Sequence, residues 1–427
     1  MRVSITSMIA MLLLVVAACK GVNEDQIPAP EKKLMTASAI LSNPEYLSIS
    51  YGAYRDTTRD IQPTVKQIKD DLKILSAMGI RILRTYNMQL PHASNVVKAI
   101  AELKKEQPSF EMYVMLGAWI DCKNAWTGME PDHNVESEFN EAEIDRAVAL
   151  TKQYPEIIKV IAVGNEAMVK WATSYYVQPD VILKWVNHLQ DLKKEGELDK
   201  NLWITSSDNF ASWGGGEGVY HVPELNELIK AVDYISMHTY PMHDTHYNPV
   251  FWGVSATNML LSKEQKVENA MIRSVNYAKD QYNRVRDYMT SIGVDKPIHI
   301  GETGWATYAN DLYGDEGSHA ADQFKSGRFY HLMRKWTTQN NISCFYFEAF
   351  DENWKDAGNP QGSENHFGLF NIDGEAKYAM WELVDKGVFD GLSRNGNPIT
   401  KSFDGDKKKL MSHVKLPPVK INFRGYE

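Results

Sequence analysis

The chain has 427 residues, enough for one large barrel or about two to three smaller domains, with an ordinary globular composition and a generous aromatic share. A formal charge of −9, with no basic stripe or long Lys/Arg run in the body, argues against nucleic acid as a partner. Three cysteines and scattered histidines, without a His-x-x-x-His pair, give no metal-ligand pattern, and no cofactor is expected.

Residues 1–18 read as a secretory signal. Arg2 supplies the positive start, 8–16 form an apolar core, and Ala17-Ala18 precede Cys19. The apolar stretch is shorter than the ~20 residues a membrane span requires. The ending Val16-Ala17-Ala18-Cys19 resembles a bacterial lipoprotein cleavage box. That resemblance implies a lipid on Cys19, a polar tether over 19–45, and a place on the bacterial cell envelope, at the outer membrane or cell surface. Membrane contact would run through the anchor alone, and a monomer is expected.

From Tyr46 the chain alternates between two patterns. Short apolar runs at 47–50, 80–85, 112–117, 157–164, 202–206, 234–238, 298–302 and 343–347 read as buried strands. Amphipathic segments at 64–78, 94–105, 141–153, 181–194, 223–232, 267–289 and 320–338 read as helices. In the first, Val65, Ile68, Leu72 and Leu75 recur at helical spacing and Met78-Gly79 supplies the stop; Asp180 is the expected cap of the fourth. Such alternation calls for parallel strands with right-handed crossovers, hence a (β/α)₈ TIM barrel over 46–390. The sixth and seventh strands are unusually far apart. The segment 243–263 between them, with Tyr247, Phe251 and Trp252, is either a wall of a substrate cleft or a peripheral excursion. Cys344 falls within the last strand and reads as core. The tail, 391–427, wraps the barrel or hangs free.

Two of the strands end in a glutamate: Glu166 in Ala162-Val163-Gly164-Asn165-Glu166, and Glu302 in Gly301-Glu302-Thr303-Gly304-Trp305. The carboxyl ends of barrel strands are where that architecture builds its active site. Two carboxyls there suit glycosidic cleavage, one as acid, the other as nucleophile. The acid must keep its proton near neutral pH, which asks for burial and a negative neighbour. Asn165 offers an amide to a sugar 2-hydroxyl. Sugar rings have apolar faces and a rim of hydroxyls, so aromatic and polar residues on the barrel loops are candidate substrate contacts. These are Tyr54, Tyr86, Trp119, Asp121, Asn209, Trp305 and Tyr308, with Arg55, Asp208 and Trp213 beside them; Trp305, next to Glu302, leads. Arg84 reads as a buried, paired strand residue.

The motifs resemble those of glycoside hydrolase family 17, the β-1,3-glucanases. Val163-Gly164-Asn165-Glu166 and Glu302-Thr303-Gly304-Trp305 fit its two glutamate motifs. Phe347-Glu348-Ala349-Phe350-Asp351-Glu352-Asn353-Trp354-Lys355, running on through Glu364 to Phe370, fits a third, and Ser50-Tyr51-Gly52 and Tyr240-Pro241 agree. The resemblance covers about 46–385 and implies a retaining endo-β-1,3-glucan hydrolase of the laminarin type. In it Glu166 is the acid/base, Glu302 the nucleophile, and Glu352, Lys355 and Glu364 support them. Lys355 would hold down the nucleophile's pKa, and Tyr240 would bond Glu302. The alternatives are a β-1,3-glucanosyltransferase or a glucan-binding lipoprotein that has lost catalysis. Ala306 stands where many plant members have proline.

Overall fold

The computed structural model describes residues 35–419. The signal, Cys19 and most of the expected tether lie outside them. Eight parallel strands close into a barrel: β1 Leu47–Ser50, β2 Ile80–Arg84, β3 Tyr113–Ala118, β4 Ile158–Asn165, β5 Trp203–Asn209, β6 Ile235–His238, β7 Ile298–Gly304 and β8 Cys344–Phe347. Each pairs with its neighbour in sequence, and β1 closes on β8 through Ser48↔Phe345 and Ile49↔Tyr346. All eight apolar runs are strands, with ends displaced by a few residues.

Part of the expected tether is folded: residues 19–45 include α1, Ala37–Leu41, capped by the Thr36 hydroxyl. Its Ala37, Ile40 and Leu41 form one apolar cluster with Ile82, Met115, Val160 and Phe345. Those strand residues point into the barrel, so α1 closes its floor. Side chains two positions further along a strand share the same face, one layer higher. There the interior turns polar, with Arg84 two after Ile82 and His238 two after Ser236. Gly301 belongs to this layer. A β-carbon on it would stand 2.1 Å from the Ser236 hydroxyl and 2.6 Å from that of Ser207.

The outer helices lie where the apolar spacing put them: α2 Val65–Ala77, α3 His92–Glu106, α4 Asn140–Gln153, α5 Pro179–Lys194, α6 Pro223–Ala231, then, after a short α7 Pro241–Tyr247, α8 Lys263–Ser291 and α9 Gln323–Gln339. Helix α2 starts with a capping box from Thr64 and Gln67. Asp180 is not the cap of α5. Gln178 takes that position without a side-chain bond, Pro179 opens the helix, and Asp180 sits in the first turn, where its charge suits the helix dipole.

The 243–263 segment turns its large aromatics inward. Phe251 and Trp252 are fully buried; Phe251 stacks on Tyr277 at 4.3 Å, and Trp252 donates to the Ser318 carbonyl at 2.8 Å. Tyr247 alone of the three is exposed. The tail is held as far as it is described. After α10, Trp381–Asp385, a two-stranded turn at Ser393–Arg394 and Asn397–Pro398 puts Arg394 against Asp71 of α2, and α11 follows at Lys407–His413. Asp71 is wholly buried and gathers Arg394 at 3.1 Å, Arg55 at 2.8 Å and the Tyr51 hydroxyl at 2.9 Å. Cys122 and Cys344 are free, buried thiols.

Candidate active site

Both glutamates stand at the mouth of the barrel. Glu302 sits within β7, in register with His238 of β6. Glu166 follows β4 with φ 46°, a left-handed turn, and its N–H donates to the Ser207 carbonyl at 3.0 Å. Such a conformation costs of order 1–3 kcal/mol in a residue with a side chain and persists where its surroundings impose it.

Glu302 is 7% exposed and fully bonded. One carboxylate oxygen accepts from Arg84 at 2.6 Å and the Tyr86 hydroxyl at 2.8 Å; the other accepts from the Tyr240 hydroxyl at 2.6 Å. Burial alone would raise its pKa. The Arg84 guanidinium, then His238 and the two phenols, outweigh burial and bring it down to about 2. Burial and the Glu302 charge raise both phenols well above their usual range, so they remain O–H donors. Arg84 also donates to the Gly301 carbonyl at 2.8 Å and to Asn165 Oδ1 at 2.5 Å. Because Asn165 accepts through its oxygen, its NH₂ is turned away from Arg84 as a donor for a ligand.

Among the described residues, Glu166 has one side-chain partner. Its Oε1 lies 3.1 Å from His238 Nδ1, while the same ring's Nε2 meets the Ser207 hydroxyl at 2.8 Å. Ser207 in turn meets the Ser236 hydroxyl at 2.9 Å. His238 has no solvent exposure, so this chain fixes how Glu166 is presented. As one of the scattered histidines outside any metal-ligand pattern, His238 carries little signal in the sequence. The available signal was Ser236 and His238 alternating on a strand otherwise apolar.

The late motif gathers as a group, with one reassignment. Lys355 does not bond Glu302; its ammonium lies 3.6 Å from Glu352 and 4.0 Å from Glu348. The cation on Glu302 is Arg84. Glu352 is buried and accepts from the Tyr54 N–H and the Trp354 indole, each at 3.1 Å. A β-carbon at Gly52 would fall 2.0 Å from Glu352 Oε1, so this carboxylate occupies the space a side chain would need. Burial, with Glu352 nearby, raises the Glu348 carboxyl well above its usual range. Glu364 lies on the exposed side of a short turn at Ser363–His366; its charge adds to the field on Lys355.

The expected substrate contacts divide. Trp305 is not a substrate contact but core: it has no exposure, donates to the Ala320 carbonyl at 2.8 Å, and packs on Trp252 and Phe329. Tyr54 is 4% exposed, edge-on to Trp354. Trp213 donates inward to the Ser236 carbonyl, Arg55 is committed to Asp71, and Asn209 caps the turn at Ala211. Asp208 is buried beneath Glu166, accepting from Met168 N and the Ser212 hydroxyl, and burial raises its pKa to about 6. Tyr86 faces Glu302. Trp119 is half-buried over Asp121, and Tyr308 is open, edge-on to His366.

A closed (β/α)₈ barrel with two strand-end carboxyls at its mouth, one ionised by a buried arginine, is the architecture of a glycoside hydrolase. The chain belongs to the BtgE/BtgC glycoside hydrolase domain family, whose model matches residues 48–368. It is 62% identical to an endo-laminarinase from Formosa Hel1_33_131 of known crystal structure, covering 92% of this chain and 100% of that one, with a TM-score of 0.91. It is also similar to a probable glucan endo-1,3-beta-glucosidase of Aspergillus terreus, at 24% identity over 77% of this chain, and spans 42% of that relative's length. The β-1,3-glucanosyltransferase of Rhizomucor miehei shares the fold, with a TM-score of 0.52 at 19% identity over 78% of this chain and 96% of that one.

Proposed function

We propose that this protein is a retaining endo-β-1,3-glucan hydrolase of glycoside hydrolase family 17, acting on laminarin-type glucan. Glu302 is its nucleophile and Glu166 its acid/base. One observation carries the assignment of roles. Glu302 is clamped as a carboxylate by Arg84, Tyr86 and Tyr240, while among the described residues Glu166 pairs with a histidine and with no arginine or lysine. A Glu302 oxygen attacks the anomeric carbon while the bond to the glycosidic oxygen breaks, and that oxygen leaves with the Glu166 proton. Water then gives a proton to Glu166, attacks the same carbon and frees Glu302. The Asn165 amide, held by Arg84, donates to the sugar 2-hydroxyl as charge develops. The identity to an endo-laminarinase supports the substrate class and the internal mode of cleavage.

The test is product analysis on laminarin and laminari-oligosaccharides. Shorter oligosaccharides released with the β-anomer first are expected. An α-anomer first sinks Glu302 as nucleophile, and products longer than the substrate would mean transfer to sugar in place of water.

The reading extends to place. Cys19 carries a lipid anchor and the barrel works, as a monomer, on the bacterial cell envelope. Cys19→Ser should move the protein to the soluble fraction with turnover unchanged; retention on the membrane would refute the anchor.

A further inference from the structure

Three aromatic rings on one side of the mouth remain unused by the chemistry above. Trp126 sits in the connection of a small hairpin, Cys122–Lys123 paired with Asp132–Glu136, that follows β3. Tyr175 lies in the loop after β4, beyond Glu166. The two rings stack at 5.0 Å with 23° between their planes, and Trp119 closes the group at 5.2 Å from Tyr175 and 6.3 Å from Trp126.

The cluster is held from below. The buried Asp121 accepts from the Trp119 indole at 3.3 Å; burial raises its carboxyl above the usual range, and hydrogen bonding from Ser137, Trp119 and Trp126 opposes that only in part. The Cys122 N–H donates to the Tyr175 carbonyl at 3.1 Å, which ties the hairpin to the β4 loop. Trp126 has φ 61°, in the left-handed region that favours glycine, yet its side chain is 63% exposed. A large apolar ring kept in an unfavourable backbone state and turned to solvent contributes little to folding. The cluster borders the catalytic mouth: Tyr175 lies in the loop that leaves β4 just after Glu166, and Trp119 directly follows the end of β3 at Ala118.

A β-linked glucose carries axial C–H groups on both ring faces. These weakly positive hydrogens meet the negative face of an aromatic ring, and the equatorial hydroxyls stay in water. We propose that Trp119, Trp126 and Tyr175 form a stacking platform on the Glu166 side of the cleft, binding a glucosyl unit of the chain away from the bond being cut. This rests on the glucan-hydrolase reading above and adds the residues that would select for chain length. Asp121 is then a positioning residue, holding the indoles beneath the sugar.

Trp126 is the variant of choice because its exposure leaves the core untouched, which a thermal melt verifies. Trp126→Ala should raise KM for laminarihexaose about tenfold with kcat within twofold, leave laminaritriose nearly unchanged, and be partly restored by Trp126→Phe. In the Glu166→Gln background, titration with laminarihexaose should show Kd weakened about tenfold by the same change. Equal effects on hexaose and triose, a fall in kcat alone, or no effect would each overturn the platform. Wild-type protein that leaves laminarin intact would instead sink the hydrolase reading, and the Kd comparison would still decide the platform.

Discussion

Replacing Arg84 by methionine isolates what keeps Glu302, the proposed nucleophile, ionised. In the intact site the Glu302 carboxyl lies at about 2 against an ordinary 4.5, although burial alone would push it the other way. At about 1.36 kcal/mol per pH unit, that depression is a preference of about 3 kcal/mol for the charged form. Arg84 is the largest source of it, being a full charge at 2.6 Å in a nearly closed environment. With methionine in its place burial dominates, and the carboxyl should rise to at least its ordinary value. At that value only about a quarter of the nucleophile is ionised at pH 4. The acid limb of kcat/KM reports the free enzyme's essential base. The wild-type enzyme should therefore hold its kcat/KM down to about pH 4, while Arg84→Met loses most of it between pH 6 and 4. Arg84→Lys keeps the charge but not the fork that spans Glu302, Gly301 and Asn165, so its limb should stay low while kcat falls. The sign for stability agrees. A carboxylate whose pKa is depressed by folding contributes fully above about 4.5, and the contribution is lost as pH falls toward 2. An Arg84→Met enzyme that is folded by thermal melt and shares the wild-type acid limb would refute the reasoning.

Glu166→Gln should cut kcat on laminarin by about 10²–10⁴, yet retain fast first-step release of dinitrophenol from an activated aryl laminaribioside, whose leaving group needs no proton. Equal losses on both substrates in pre-steady-state measurement would exclude the acid role. His238→Ala leaves Glu166 in place without its partner, and should lower kcat on laminarin about tenfold or more with KM little changed. An unchanged kcat would show that the contact only packs the mouth. Asp71→Ala removes the carboxylate shared by the buried Arg394 and the half-buried Arg55 and should cost about 3–5 kcal/mol in urea unfolding; a loss below about 1 kcal/mol would mean that the backbone carbonyls they also meet suffice.

The barrel was legible because each strand carries a short apolar or alternating run and each helix a spaced one. Both glutamates followed from their position at the ends of such runs. What the sequence concealed was direction. Trp305 lies three residues past Glu302, and nothing in that spacing tells whether its ring rises into the cleft or turns outward between β7 and α9, as it does. Lys355 fell in a motif with carboxylates, but a side chain of that length reaches several partners, and the fold gave it Glu348 and Glu352. Arg84 read as a paired strand residue, with its partner Glu302 more than two hundred residues away. The floor helix α1 was missed because five residues are too few for a periodic signal, and their burial depends on strands still to come.

The change from apolar to polar inside the barrel sets two opposed pressures on neighbouring layers. Ile82, Met115, Val160 and Phe345 can be exchanged for other apolar residues with a cost only in packing. One step above, Ser207, Ser236, His238 and Arg84 fill a space that valine or leucine would hold together better. Those polar groups have value only because something reacts above them. Variants selected for heat resistance alone should therefore erode the upper layer first, gaining durability as they lose turnover.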